Sequence, residues 1–256
     1  MSIDKEPVEA SESHWDDVVD VICAGSGPGV LAHAIRCSGL DLDVEVAVAE
    51  LAFETTDPDT TDYLRSMTDD LGPATARDLE LAVVRARPVT VAKDRRATIE
   101  PFFGSRLRDW SARCLTSAFG VIYSQIPDDM TVMCTDSGET IRAGVVDDYH
   151  PQTDCPGMEL TEWLRVQAHD HGLLGEPGAA LQRLVFEEGR VAGAALSTRG
   201  GTRLVRATLG VALSIGPAPD SAEWPIGPQL PGGAAQLVEV SRTASRFGRI
   251  ELLYPA

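Results

Sequence analysis

No apolar run in this chain approaches the length of a membrane span. Basic residues are scarce: 22 Lys and Arg stand against 39 Asp and Glu, a net charge of −17. An acidic surface repels phosphate backbones and anionic lipid, which argues against nucleic acid or a membrane as partner. Cysteines number five (Cys23, Cys37, Cys114, Cys134 and Cys155), an odd count with no close metal-ligand spacing. A cytoplasmic protein with reduced, buried thiols is the simplest account. The histidines offer no metal pattern either. His169 and His171 lie two apart, so on a helix they face different directions. No metal is expected. Residues 1–15 are acidic and polar, without the basic start and apolar core of a signal peptide, and read as a disordered leader. No internal repeat is visible. What remains is ordinary: 256 residues, 43% hydrophobic and 24% charged, enough for one large domain or two small ones.

The hydrophobic pattern divides the chain into elements. Residues 18–24 read as a buried parallel strand. Pro28 opens a helix with Val30, Leu31, Ala34, Ile35 and Leu40 on its apolar face and with His33 and Arg36 pointing elsewhere; Gly39 ends it. Residues 44–49 return as a strand closing at Glu50. Residues 57–71 form a capped helix carrying Tyr63, Leu64, Met67 and Leu71 inward. A second helix fits residues 75–87, stopped by Pro88. Residues 100–125 are ambiguous. Residues 131–134 and 140–145 flank Asp136-Ser137-Gly138-Glu139, a hairpin signature. Pro156-Gly157 precedes a helix over 159–171. From Leu181 the period changes. Three strands joined by Glu187-Glu188-Gly189 and Arg199-Gly200-Gly201 make a meander, and residues 209–216 read as one more buried strand. A Pro- and Gly-rich connector, 217–233, leads to two short strands at 236–240 and 249–253, which either complete the sheet or dock on a neighbour.

The chemistry-bearing motif comes first in this order. Strand, Gly25-Ser26-Gly27-Pro28-Gly29, helix, second strand and Glu50 make a dinucleotide-binding fingerprint. Such a turn sets backbone N–H groups and a helix N-terminus against a pyrophosphate, while the acidic residue accepts hydrogen bonds from the adenosine ribose. The same glycines could equally serve a tight strand–helix connection with no ligand.

Several segments in sequence order widen the reading. They are Trp15-Asp16, Gly25-Ser26-Gly27, Glu50, Tyr63-Leu64-Arg65, Asp148-Tyr149-His150-Pro151, Pro156-Gly157, Gly189-Arg190-Val191-Ala192-Gly193 and the run ending at Gly216. Together, over residues 15–216, they resemble the FAD-binding part of the fumarate reductase/succinate dehydrogenase flavoproteins, nearest to the 3-ketosteroid Δ1-dehydrogenases. The resemblance implies an α/β fold: a Rossmann-like parallel sheet with a three-stranded β-meander crossover, over residues 16–216, followed by a short β tail, 217–256. It implies FAD as cofactor, bound through Gly25, Ser26, Gly27, Pro28, Gly29 and Glu50, with Gly216 beside it. It also implies a proton-handling role for Tyr149, whose other reading is a boundary tyrosine with a buried ring and a wet hydroxyl.

The departures from the family are equally specific. Val30 stands where the third glycine belongs, with Gly29 one place early. A Cβ there would push the helix off the strand unless Gly29 relieves it. The glycine-rich loop that faces the flavin ring is missing, since Glu50 runs almost directly into the next helix. Residues 217–256 are too few for the family's cap domain. Two functions follow from this pattern. One is an FAD-binding oxidoreductase module that dehydrogenates a steroid-like substrate once a partner chain covers the cap position. The other is a degenerate, non-catalytic subunit that stabilises a partner protein. A plain NAD-binding domain of another kind is disfavoured by the meander, which replaces a helical crossover.

Overall fold

The run Val18-Val19-Asp20-Val21-Ile22-Cys23-Ala24 has no helical period and no breaker, and it forms β1 (Asp17–Ala24). The computed structural model describes residues 14–47, 57–71, 77–89, 104–174, 178–214, 219–220, 222–227, 230–231 and 235–255. After β1 come α1 (Pro28–Gly39), β2 (Val44–Ala47), α2 (Pro58–Thr68), β3 (Val83–Pro88), α3 (Gly104–Thr116), β4 (Gly120–Tyr123), β5 (Thr131–Thr135) and β6 (Thr140–Asp148). Then follow α4 (Pro156–Asp170), β7 (Ala180–Glu187), β8 (Arg190–Thr198), β9 (Gly201–Leu213), β10 (Gln236–Ser241) and β11 (Phe247–Pro255).

The strands join one large mixed sheet. β1 lies between β2 and β9, parallel to both. β7, β8 and β9 form the expected antiparallel meander. β4 bridges β9 to β11 with antiparallel pairing on both sides. β11 is parallel to β3, and from β3 the order runs antiparallel through β5 and β6 to β10. Because β10 also pairs with β11, strands β3, β5, β6, β10 and β11 close on themselves into a ring. Among the named strands, parallel pairing is confined to β1–β2, β1–β9 and β3–β11; the fold is mixed α/β rather than a wholly parallel sheet.

Alternation along the strands divides the core into two layers. Val21 and Cys23 of β1 and Ile250, Leu252 and Tyr254 of β11 face α1 and α4, where Val30, Leu31, Ile35, Leu160 and Leu164 meet them. Ile22, Ala24, Val238, Val240 and Leu253 face the other way, toward Trp110 and Cys114 of α3 and the side chains of α2. Local signals set the helix starts. Pro28 occupies the first turn of α1. Asp57 caps α2 by accepting from Thr60 N at 2.9 Å, and Thr60 Oγ1 in turn accepts from Leu184 N at 2.8 Å, docking α2 on β7.

Two readings change, and one open alternative is resolved. Residues 83–87, expected in a helix, form β3. Val83 and Val84 suit a pleated surface, and pairing with β11 and β5 outweighs the helix preference of the surrounding Ala, Leu and Arg. The strand expected over 209–216 is not separate from the meander, because Gly201–Leu213 is continuous. It kinks at Gly210, whose φ of 137° is open to glycine, where Ser124 exchanges hydrogen bonds with Val211 at 2.8 Å in both directions. The exposed pair Thr208-Leu209 makes this kink look like a break in the sequence. Finally, the tail strands complete the sheet, with Leu237 fully buried.

Leu237→Ala should therefore cost about 2–5 kcal/mol, read as a lower midpoint in urea unfolding. An unchanged midpoint would mean that β10 contributes nothing to the core.

Candidate functional site

The turn after β1 has the backbone of a dinucleotide cradle. Gly25 sits at φ 117°, a conformation that side chains resist. Gly27 is the N-cap of α1 at φ −77° and ψ 149°. Gly27 has no side chain with which to cap this helix and no acidic residue stands in its first turn, so its positive end is not compensated from within α1.

The glycines face the chain itself. A Cβ on Gly25 would strike the Ser214 carbonyl oxygen, and one on Gly27 the Ser214 hydroxyl. A Cβ on Gly29 would come within 2.6 Å of the Phe119 oxygen and 2.8 Å of the Gly120 oxygen. Residues 25–29 are all buried. Gly29 thus supplies the close approach that the missing third glycine would have given, and Val30, fully buried, joins the α1–α4 core without displacing the helix. Glu50 and Gly216, the expected ribose ligand and the strand end beside the cofactor, lie outside the described residues.

Behind the turn lies a buried ionic cluster that the sequence reading missed. His33 and Arg36 do not point away from the core. Both turn inward to Glu239 of β10, which is fully buried. His33 Nδ1 lies 2.9 and 3.0 Å from the two carboxylate oxygens, Arg36 Nη1 donates at 3.1 Å, and the Tyr123 hydroxyl donates to Oε1. Arg36 also pairs with Asp129 at the surface. Two glycines make the room: a Cβ at Gly144 would enter the Arg36 guanidinium, and one at Gly248 would meet the Tyr123 hydroxyl. Leu40, expected on the apolar face of α1, instead stands exposed beyond its end.

Burial opposes each charge here, and the partners overcome it. The His33 and Arg36 charges, with hydrogen bonds from His33 and Tyr123, hold the Glu239 carboxyl down at about 2 despite its burial. Burial likewise works against a charged His33, but Glu239 raises its pKa to about 10. Burial and the Glu239 charge push the Tyr123 phenol well above its usual value. Every member is moved away from neutrality. The cluster is a clamp between α1 and β10, unsuited to proton transfer. Its signals were a three-residue His–Arg spacing on a helix and a lone Glu in the apolar run Leu237-Val238-Glu239-Val240.

Tyr149 follows β6 and is 2% exposed, its ring 5.2 Å from that of Trp163. Its hydroxyl is buried too and meets no hydrogen-bond criterion among the described residues, so it is not the wet hydroxyl of a boundary tyrosine. Burial, with the neighbouring Glu159 carboxylate, raises its pKa well above 10. Glu159 itself is occupied, accepting from Gln152 N and Thr153 N at 2.9 Å. Of its neighbours, His150 is exposed and the Cys155 thiol donates to the Pro225 carbonyl at 3.2 Å. A cavity of about 620 Å3 opens between α2, α3 and the turn at Ala244, and one of about 310 Å3 lies at the mouth of the strand ring. Neither the glycine turn nor Tyr149 lines either of them. Among the described residues, no His, Cys, Asp and Glu side chains group as a metal site would require, and no helix is long and apolar enough to cross a membrane.

No protein-family model matches the chain, and no curated protein matches it. Several solved structures are similar to parts of it, three of which follow. One is a geranylgeranyl bacteriochlorophyll reductase-like protein from Thermoplasma acidophilum, with 12% identity over 75% of this chain and 38% of that one, at a TM-score of 0.30. Another is 3-ketosteroid-Δ4-(5α)-dehydrogenase from Rhodococcus jostii RHA1 in complex with 4-androstene-3,17-dione, with 18% identity over 80% and 47%, at 0.35. The third is a flavocytochrome c3 fumarate reductase in its open conformation, with 14% identity over 76% and 33%, at 0.32. The chain spans less than half the length of each. At these scores the likeness does not by itself establish a shared fold.

Two outcomes follow from the geometry. Gly29→Ala should destabilise the ligand-free chain by about 1–3 kcal/mol, because two backbone carbonyls have to give way. A thermal midpoint equal to wild type would show that packing does not demand this glycine. The clamp sets the second. The stability contributed by His33 is complete below its usual pKa of 6.5 and is lost as pH rises through about 10. That from Glu239 is complete above its usual 4.5 and is lost as pH falls through about 2. Unfolding free energy of the wild type should decline from pH 6.5 toward pH 10. His33→Gln should flatten that decline, and parallel curves for the two proteins would remove His33 from the clamp.

Proposed function

We propose that the β1–turn–α1–β2 unit is a Rossmann-like half-site for the ADP portion of FAD. The carrying observation is the left-handed Gly25 feeding an α1 N-terminus whose N-cap, Gly27, has no side chain to cap it, between parallel strands. In this reading backbone N–H groups of the 25–29 turn receive the diphosphate, the α1 dipole favours its charge, and Glu50 takes the ribose hydroxyls. Bound FAD would supply hydride acceptance, the redox chemistry of a dehydrogenation at a carbon–carbon bond of a steroid-like substrate. The chain's own residues bind and orient. The clamp on Glu239 fixes the angle of α1, and Ser214 closes the turn from the end of β9. Tyr149, with its raised pKa, stays protonated at neutral pH and could donate a proton but not accept one. A partner chain would supply the flavin-facing loop and the cap. Five free thiols suit a reducing, cytoplasmic setting.

A second reading has its own support. The Cβ-free faces of Gly25, Gly27 and Gly29 are filled by Ser214, Phe119 and Gly120, and the Tyr149 hydroxyl is sealed in the core. Such a site suits a descendant that keeps the fold and acts as a non-catalytic subunit.

The two separate on purification and titration. The first predicts a yellow protein that releases flavin on denaturation, or a colourless one that takes up FAD and ADP in calorimetry. Glu50→Ala should then weaken both about tenfold, the loss of one hydrogen-bonded charge. A folded, colourless chain that binds neither nucleotide leaves only the second reading.

A further inference from the structure

At one mouth of the strand ring, Trp110 of α3 closes the opening. It is 1% exposed and its Nε1 donates to the Phe247 carbonyl at 2.9 Å. Three guanidinium groups crowd its ring, those of Arg242, Arg113 and Arg249, at 4.9, 5.4 and 5.5 Å from the centroid. Arg85, from β3, lines the same cavity of about 310 Å3. That volume lies at the small end of the range of metabolite sites.

The charges do not balance. Arg242 pairs with Glu139 at 2.9 Å and Arg249 with Glu251 at 2.5 Å. Arg85 and Arg113 have no ion-pair partner among the described residues, and Asp136 is the one other carboxylate on the lining. Four guanidinium groups against three carboxylates leave an excess positive charge in a chain whose net charge is −17. One donor is also unspent. The Arg242 side chain is 6% exposed, its Nη1 and Nη2 are engaged by Thr140 and Glu139, and its buried Nε makes no hydrogen bond among the described residues. A buried N–H of a cation without an acceptor is rare in native structures, and it leaves the Arg242 charge only partly satisfied behind the cavity wall.

The geometry points to an oxyanion site in this cavity, its donors supplied by Arg85 and Arg113 with the Arg242 charge behind them, taking a phosphate group, free or as a small monoester. The donors come from β3 and α3, and the charge behind them from the β10–β11 connection. Approach from several sides suits a tetrahedral anion better than a flat carboxylate, which one guanidinium fork can satisfy. The site shares no residue with the glycine turn, so it stands or falls independently of the FAD reading.

The test uses the full chain, with inorganic phosphate, glycerol phosphate and malonate titrated calorimetrically at constant ionic strength against chloride. Saturable binding of phosphate or glycerol phosphate is expected, weakened about tenfold by Arg113→Gln and by Arg85→Gln. Both side chains are exposed, so these variants should fold. Arg165→Gln, an equal loss of charge on the exposed face of α4, should leave the affinity unchanged. Tighter glycerol phosphate would identify a monoester, and equal affinities a bare anion. Phosphate binding no better than chloride, binding indifferent to both cavity substitutions, or preference for malonate would overturn the proposal.

Discussion

A carboxylate buried without compensation would unfold a protein of this size, and Glu239 is buried completely. Its neutralisation by His33 and Arg36, with a third donor in Tyr123, is the constraint around which the α1 side of the molecule is arranged. The three donors come from α1 and β4, the acceptor from β10, and the space from Gly144 of β6 and Gly248 of β11. No single element holds the cluster. Losing one partner leaves a charge in the core, so the packing of α1 on the sheet is set to one angle. Apolar packing alone would not be so exacting.

That rigidity reaches the glycine turn. Gly25–Gly29 connects β1 to the helix that the clamp immobilises, and the turn touches Ser214, Phe119 and Gly120 with no room for a single extra carbon. The same tightness serves both functional readings. A preorganised cradle binds without ordering itself first, and a sealed cradle binds nothing. The difference lies in the environment of the first-turn N–H groups of α1, which the glycine spacing alone does not define.

Elements with a strong local period could be read in the chain: β1, α1, the hairpin of β5 and β6, α4, the meander and both tail strands. The capping of α2 by Asp57 was equally visible. β3 was not, because its identity comes from pairing with β11, far away in sequence, while its own composition favours a helix. The continuity of β9 hid behind one glycine. Of the site, the turn at Gly25–Gly29 was legible as a motif, but the atoms its glycines face were not. The clamp was hidden for the same reason as β3. His33, Tyr123 and Glu239 are each unremarked alone, and Gly144 and Gly248 acquire meaning only once the side chains they admit are known.

The place of β11 has a consequence for biosynthesis. It follows all of its partners in chain order, pairing with β3, β4 and β10. Until it leaves the ribosome, β3 and β4 each present an unpaired edge, and Tyr123 and Glu239 lack the neighbour that frames them. A nascent chain in this state offers the open strands that chaperones engage and that aggregate when left alone. Completion of this sheet thus waits on the synthesis of β11, however early the strands before it form.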